Sequence, residues 1–72
     1  MSRHTLLWAL RAQQDTATAD CEAWRDDRAT HVVLKRDGHP DVMNDFPEPS
    51  QAVRWAIDVE RSLLEEGWEK IV

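Results

Sequence analysis

Between Thr16 and Trp24 the chain alternates. Ala17, Ala19, Cys21 and Ala23 fall on one side, and Thr16, Thr18, Asp20, Glu22 and Trp24 on the other. That period of two is the signature of a strand, and its small side chains suit a helix lying close against the sheet. His31-Val32-Val33-Leu34-Lys35-Arg36 is a second strand, rich in β-branched residues and leading into Asp37-Gly38, a dipeptide that favours a two-residue hairpin turn. Asp41 to Phe46 supplies the returning strand. Turn-forming groups recur at a regular beat: Gln13-Gln14-Asp15, Asp26-Asp27-Arg28, Asp37-Gly38-His39-Pro40 and Pro47-Glu48-Pro49. Short segments with that spacing predict an antiparallel meander.

After the meander the period changes to that of a helix. Ser50 is placed to cap a helix from Gln51 to about Glu66, and Gly67 to end it in a left-handed turn that folds Trp68 back onto Leu63. At 100° per residue, Ala52, Val53, Ala56, Ile57, Val59, Leu63 and Leu64 share an arc of about 160°. Arg54, Asp58, Arg61 and Glu65 lie opposite. Glu60 falls inside the apolar arc. It either overhangs the sheet edge, reaching water or an arginine, or contacts a partner. Trp55 sits on the flank, beside Asp58, Ser62 and Glu66, where a tryptophan either packs on a neighbouring loop or anchors an interface.

The first segment, Thr5 to Ala12, has two readings. Its Leu, Ala, Arg and Gln favour helix, and a helical pattern could run through residues 3–28. Thr16 and Thr18 in mid-span, a polar Gln14 on the seam and the hairpin beat downstream favour a strand with Leu6, Trp8 and Leu10 on one face. The expected fold class is α+β: an antiparallel β-meander of three to four strands with one C-terminal amphipathic helix packed on one face, a single small domain over residues 1–72.

Composition narrows the function classes. The 72 residues carry nine Lys+Arg against fourteen Asp+Glu, a net charge of −5 with neutral histidines. Residues 1–36 hold six basic and five acidic groups, and residues 37–72 three and nine, so the acidity lies in the second half. That disfavours non-specific nucleic-acid binding, which needs a basic field. The longest apolar run, Leu6 to Leu10, is far short of the ~20 residues that span a bilayer, and no signal peptide is legible. One cysteine makes no internal disulfide. A cytoplasmic location is the expectation.

The cadence Leu-Trp…Cys-Glu…Val-Leu-Lys-Arg-Asp-Gly…Phe-Pro…Ala-Val-Arg-Trp-Ala…Glu-Arg-Ser-Leu-Leu-Glu-Glu-Gly-Trp resembles a set of short uncharacterised bacterial proteins. They share an R-D-G hairpin, a phenylalanine before the helix, an A-x-x-W-A helix core and a closing G-W. The resemblance covers nearly the whole chain, implies the fold and carries over no active site.

Candidate chemistry is sparse. Cys21 with His31 or His4 is the one conceivable nucleophile–base pair, against which stands the simpler role of a small buried side chain among alanines. His4, His31 and His39 lack metal-ligand spacing, and His39 with Asp41 reads as a solvated turn. Two glycines make no phosphate loop. No catalytic residue, cofactor or metal is expected.

The leading expectation is a non-catalytic acidic module that binds a protein with a basic surface. Trp55, Asp58, Glu65, Glu66, Asp41 and Asp45 would form its acidic face. In size, acidity and absence of motifs the chain is similar to phage-encoded inhibitors, among them anti-CRISPR proteins that occupy nucleic-acid channels. A second reading is a homodimeric accessory or regulatory protein. One helix covers one sheet face, leaving Leu7, Ala9, Trp24, Val33 and Met43 on the other, with Trp24, Val33 and Met43 as the dimer contact. A third is weak nucleic-acid binding through Arg11, Arg25, Arg28, Lys35 and Arg36, with Trp24 stacking a base.

Overall fold

Asp37 and Gly38 both take positive φ, 53° and 82°, the backbone of a two-residue hairpin turn whose twist matches that of its strands. The turn joins β3 (Thr30–Arg36) to β4 (His39–Phe46). The structure, a computed structural model, describes residues 3–71. Ahead of the hairpin lie β1 (Thr5–Arg11) and β2 (Thr18–Arg25); after it come α1 (Pro49–Glu65) and β5 (Glu69–Lys70). Neighbouring strands are antiparallel, in the order β4-β3-β2-β1-β5. The α+β meander with one helix is the fold found. The ambiguous first segment is a strand, and a two-residue β5 extends the sheet beyond β1.

The core lies between α1 and one face of the sheet. Trp8 and Leu10 of β1, Ala19 and Cys21 of β2, and Val32 and Leu34 of β3 are buried against Ala52, Ala56 and Leu63 of α1. Alanines on both layers let helix and sheet approach closely. The Trp8 Nε1–H donates to the Ala56 carbonyl at 2.8 Å, tying β1 to the middle of the helix.

Three details differ from the sequence expectation. The helix begins at Pro49 with Glu48 as its N-cap, two residues before Ser50. Proline's fixed φ is already helical and its missing N–H is no loss at the first position. The Gln51 side chain then accepts the Glu48 backbone N–H at 3.2 Å. At the other end, Trp68 N–H reaches the Leu63 carbonyl and Gly67 N–H the Leu64 carbonyl, both 3.1 Å, with Gly67 at φ 103°. This is the paired C-terminal turn that glycine permits.

The helix is also rolled toward β4. Trp55 and Val59 are half-buried, whereas Val53 and Ile57 are each 45% exposed and Leu64 37%. The Trp55 ring lies 6.1 Å from that of Phe46 at the end of β4. Covering an indole removes more apolar surface from water than covering a valine, so Trp55 sets the roll.

Finally, β1 carries a bulge between Leu6 and Trp8. Leu6, expected beneath the helix, stands 57% exposed on the far face, and Leu7, expected on that far face, packs against the core. One extra residue in a strand exchanges the faces of its neighbours. A second irregularity between Leu34 and Lys35 sets Val42 opposite Leu34 on the edge strand, where it is 39% exposed.

Candidate functional site

The sheet face away from α1 carries a cluster of rings and charges. In register, Trp24 of β2 lies beside His31 of β3, which lies beside Asp45 of β4. The Trp24 ring stacks on His4 at 4.4 Å and 2°, and on His31 at 5.3 Å. His31 uses both ring nitrogens: Nδ1 meets Asp45 Oδ1 at 2.5 Å and Nε2 meets Asp26 Oδ2 at 2.6 Å. Hydrogen bonds to Asp45 and then Asp26 favour the imidazolium and raise the His31 pKa. The Asp26 carboxylate also accepts the backbone N–H groups of Arg28 and Ala29. With those bonds and His31 it titrates at about 2.

Below this cluster Lys35 Nζ meets Glu22 Oε2 at 3.0 Å, and His4 reaches the same carboxylate at 3.5 Å. The Glu22 pKa is lowered, chiefly by the hydrogen bond from Lys35. Val33 has Glu22 and Met43 as its cross-strand neighbours and is buried although no layer covers it. The stems of those side chains shield it. The far face is thus less apolar than its sequence suggests, with an ion pair at its centre and Met43, 58% exposed, at its β4 side. Of the three residues expected in a dimer contact, Val33 is buried, Trp24 half-buried and Met43 exposed.

The expected acidic face is divided. Asp58, Glu65 and Glu66 are exposed on α1 or at its end, without ion pairs among the described residues, and Arg54 and Arg61 are interleaved with them. Asp41 is held by Arg36 at 3.2 Å and Asp45 by His31, so both carboxylates on β4 have internal partners. Trp55 joins the margin of the core. Glu60 is half-buried where the helix overhangs β5, 3.9 Å from Lys70. That is the edge placement, with a lysine in the role expected of arginine.

Cys21 is fully buried beneath α1, and His31 lies on the opposite face of the sheet beside Trp24. The structure does not bring this pair together. Burial, then the nearby charges of Asp20, Glu22 and Glu60, push the thiol up to about 12. Little thiolate forms at neutral pH. Native protein should therefore react with a thiol reagent at least tenfold more slowly than protein in denaturant. Cys21→Ala should destabilise by about 1 kcal/mol in urea unfolding.

The basic residues expected to hold nucleic acid are mostly engaged. Arg11 pairs with Glu69 at 2.8 Å, Lys35 with Glu22, and Arg36 with Asp41 while lying 5.8 Å over the Trp68 ring. Both faces of Trp24 are occupied by histidines. Arg25 and Arg28 alone of the five carry no ion pair among the described residues.

The histidine cluster escaped the sequence reading. An Asp-Gly turn with regular pairing would set His31 across from Asn44, and the irregularity after Leu34 brings Asp45 there instead. No group of three or more His, Cys, Asp or Glu side chains among the described residues is arranged to hold a metal, and no helix is long and apolar enough to cross a membrane. Comparison with known proteins finds no matching family, no similar curated protein and no similar solved structure.

Proposed function

We propose that the chain is a non-catalytic interaction module of the phage-inhibitor kind, which occupies a basic surface of another protein with the side formed by α1 and β4. One observation carries this reading. Of the five basic residues expected to hold nucleic acid, Arg11, Lys35 and Arg36 are neutralised by internal carboxylates, while Asp58, Glu65 and Glu66 stand exposed without ion pairs among the described residues. The unneutralised charge of the helix end is therefore acidic. At the sheet edge opposite β5, β4 is an edge strand of eight residues with Val42 and Met43 exposed. Free strand edges pair with other chains, and the carboxylates would steer a basic partner toward this one.

The test is capture of a binding partner by wild type and by Asp58→Lys with Glu65→Lys. Reversal should weaken retention at least tenfold, increase the amount needed for capture, and leave the melting temperature nearly unchanged, since exposed charges contribute little to folding. Retention unaffected by the reversal overturns the acidic-face reading. If the wild type then sediments as a dimer, the homodimeric reading takes its place, favoured by the open β4 edge and the exposed Met43. Loss of binding only in Arg25→Glu with Arg28→Glu, together with salt-sensitive nucleic-acid affinity, favours the nucleic-acid reading instead.

A further inference from the structure

Where α1 begins, a depression of about 290 Å³ opens between the helix, β1 and β2. Its floor is apolar, formed by Leu7, Ala23, Ala52 and Val53. Among the described residues, its only charged lining residues are Arg3 and Arg25, in a chain whose net charge is −5. Thr5 pairs with Ala23, and the same register carried two residues outward sets Arg3 across from Arg25. Neither guanidinium has an ion-pair partner among the described residues. Two cations side by side repel each other until an anion lies between them.

A third feature points the same way. Thr30, paired with Arg25 across the β2–β3 ladder, forms part of the wall. It is 7% exposed, and its Oγ1 is buried with no hydrogen-bond partner among the described residues. Leaving a buried hydroxyl unbonded is unfavourable, and most such groups in folded proteins are satisfied. A hydrogen-bonding group held in the depression would give this hydroxyl the partner that it lacks. The first turn of α1 adds its positive dipole end.

We propose that this depression binds a carboxylate carried on an apolar stem. Arg3 and Arg25 clamp the carboxylate at the mouth, and the stem lies on Leu7, Ala23 and Val53. An anion alone would leave that floor in water, and a neutral apolar group would leave the guanidiniums unpaired. Octanoate, a carboxylate on a straight apolar stem, is a simple probe of this chemistry. The same chemistry is offered by a free aliphatic acid and by the C-terminus of a peptide ending in leucine.

Sodium octanoate titrated into the full chain should shift the amide resonances of Ala23, Thr30 and Val53 and saturate with a dissociation constant of about 1 mM or tighter. Octanol should bind at least about tenfold more weakly. Arg3→Gln with Arg25→Gln should weaken octanoate about tenfold and leave octanol unchanged. Thr30→Val keeps the shape of the wall. It should raise the melting temperature by removing the unbonded hydroxyl, and weaken octanoate, a combination that simple damage to the fold does not give. A leucine-terminated peptide and its C-terminal amide separate the sources. An acid form that binds more tightly than octanoate identifies a chain terminus, and the reverse order identifies a free acid. Equal affinity for octanol and octanoate, full affinity in the arginine double variant, or shifts centred on Val42 and Met43 overturns the proposal.

Discussion

Trp8→Ala should remove most of the protein's stability at 25 °C. Trp8 is 7% exposed and stands in a core of nine buried residues, where it is the largest side chain. Truncating a buried aromatic removes its burial and leaves a void, together about 3–5 kcal/mol. Domains of ordinary size hold only about 5–15 kcal/mol in total, and one this small lies at the low end. Trp8→Phe separates packing from bonding. Phenylalanine fills most of the space and deletes the Nε1–H that reaches the Ala56 carbonyl. That carbonyl keeps its place in the helical ladder, so the lost hydrogen bond contributes about 1 kcal/mol. Urea unfolding followed by far-ultraviolet circular dichroism reads the loss of helix and sheet in both variants. A Trp8→Ala protein with the wild-type midpoint would show that the helix–sheet core does not have this composition.

The elements were legible wherever one face of a regular element met the core. Alternation from Ala17 to Ala23 places β2 correctly, the Asp37-Gly38 pair gives the β3–β4 turn, and the spacing of Ala52, Ala56 and Leu63 gives α1. What periodicity could not carry is irregularity. The bulge in β1 exchanges the faces of Leu6 and Leu7, and the register shift after Leu34 decides which β4 residue meets His31. Nothing in a pattern of apolar and polar positions marks one extra residue. The helix roll has a similar origin: it depends on Phe46 being near enough to take Trp55, a contact between elements that a helical wheel does not contain.

Candidate surfaces were legible as residue types and not as pairings. Asp41 and Asp45 looked like two more members of an acidic face, and Lys35, Arg36 and Trp24 like a basic stacking surface. In the folded chain Asp41 holds Arg36, Asp45 holds His31, Lys35 holds Glu22, and Trp24 lies between two histidines. Each of the three ion pairs joins different strands, so it follows from register and not from spacing. Thr30, whose hydroxyl bears on the depression beside α1, carried no sequence signal. Its significance lies in the absence of a partner atom after folding.

His31 should give the protein its steepest response to pH near neutrality. With Asp26 on one ring nitrogen and Asp45 on the other, the charged imidazolium donates both hydrogen bonds, and deprotonation removes one donor and the attraction to both carboxylates. The other charged or titratable groups nearby are His4, on the far side of Trp24, and Glu22, which binds His4 and Lys35. Because the folded pKa of His31 is raised above 6.5, its contribution to stability is fully present below pH 6.5 and is lost as pH rises through the folded value. Asp26 acts in the opposite sense. Its pKa falls from 3.8 to about 2 on folding, so its contribution is present above pH 3.8 and is lost as acid brings the pH down toward 2. The cluster therefore stabilises most between about pH 4 and 6.5. Melting temperatures measured from pH 5 to 8.5 should fall by several degrees in the wild type and much less in His31→Gln, which keeps a side-chain amide and no titration. Asp26→Asn should flatten the acid limb instead, while losing the backbone caps on Arg28 and Ala29 only in part. A wild-type profile that is level from pH 6 to 8.5, or a His31→Gln profile with the same slope, would mean that the two carboxylates do not hold His31 as an imidazolium.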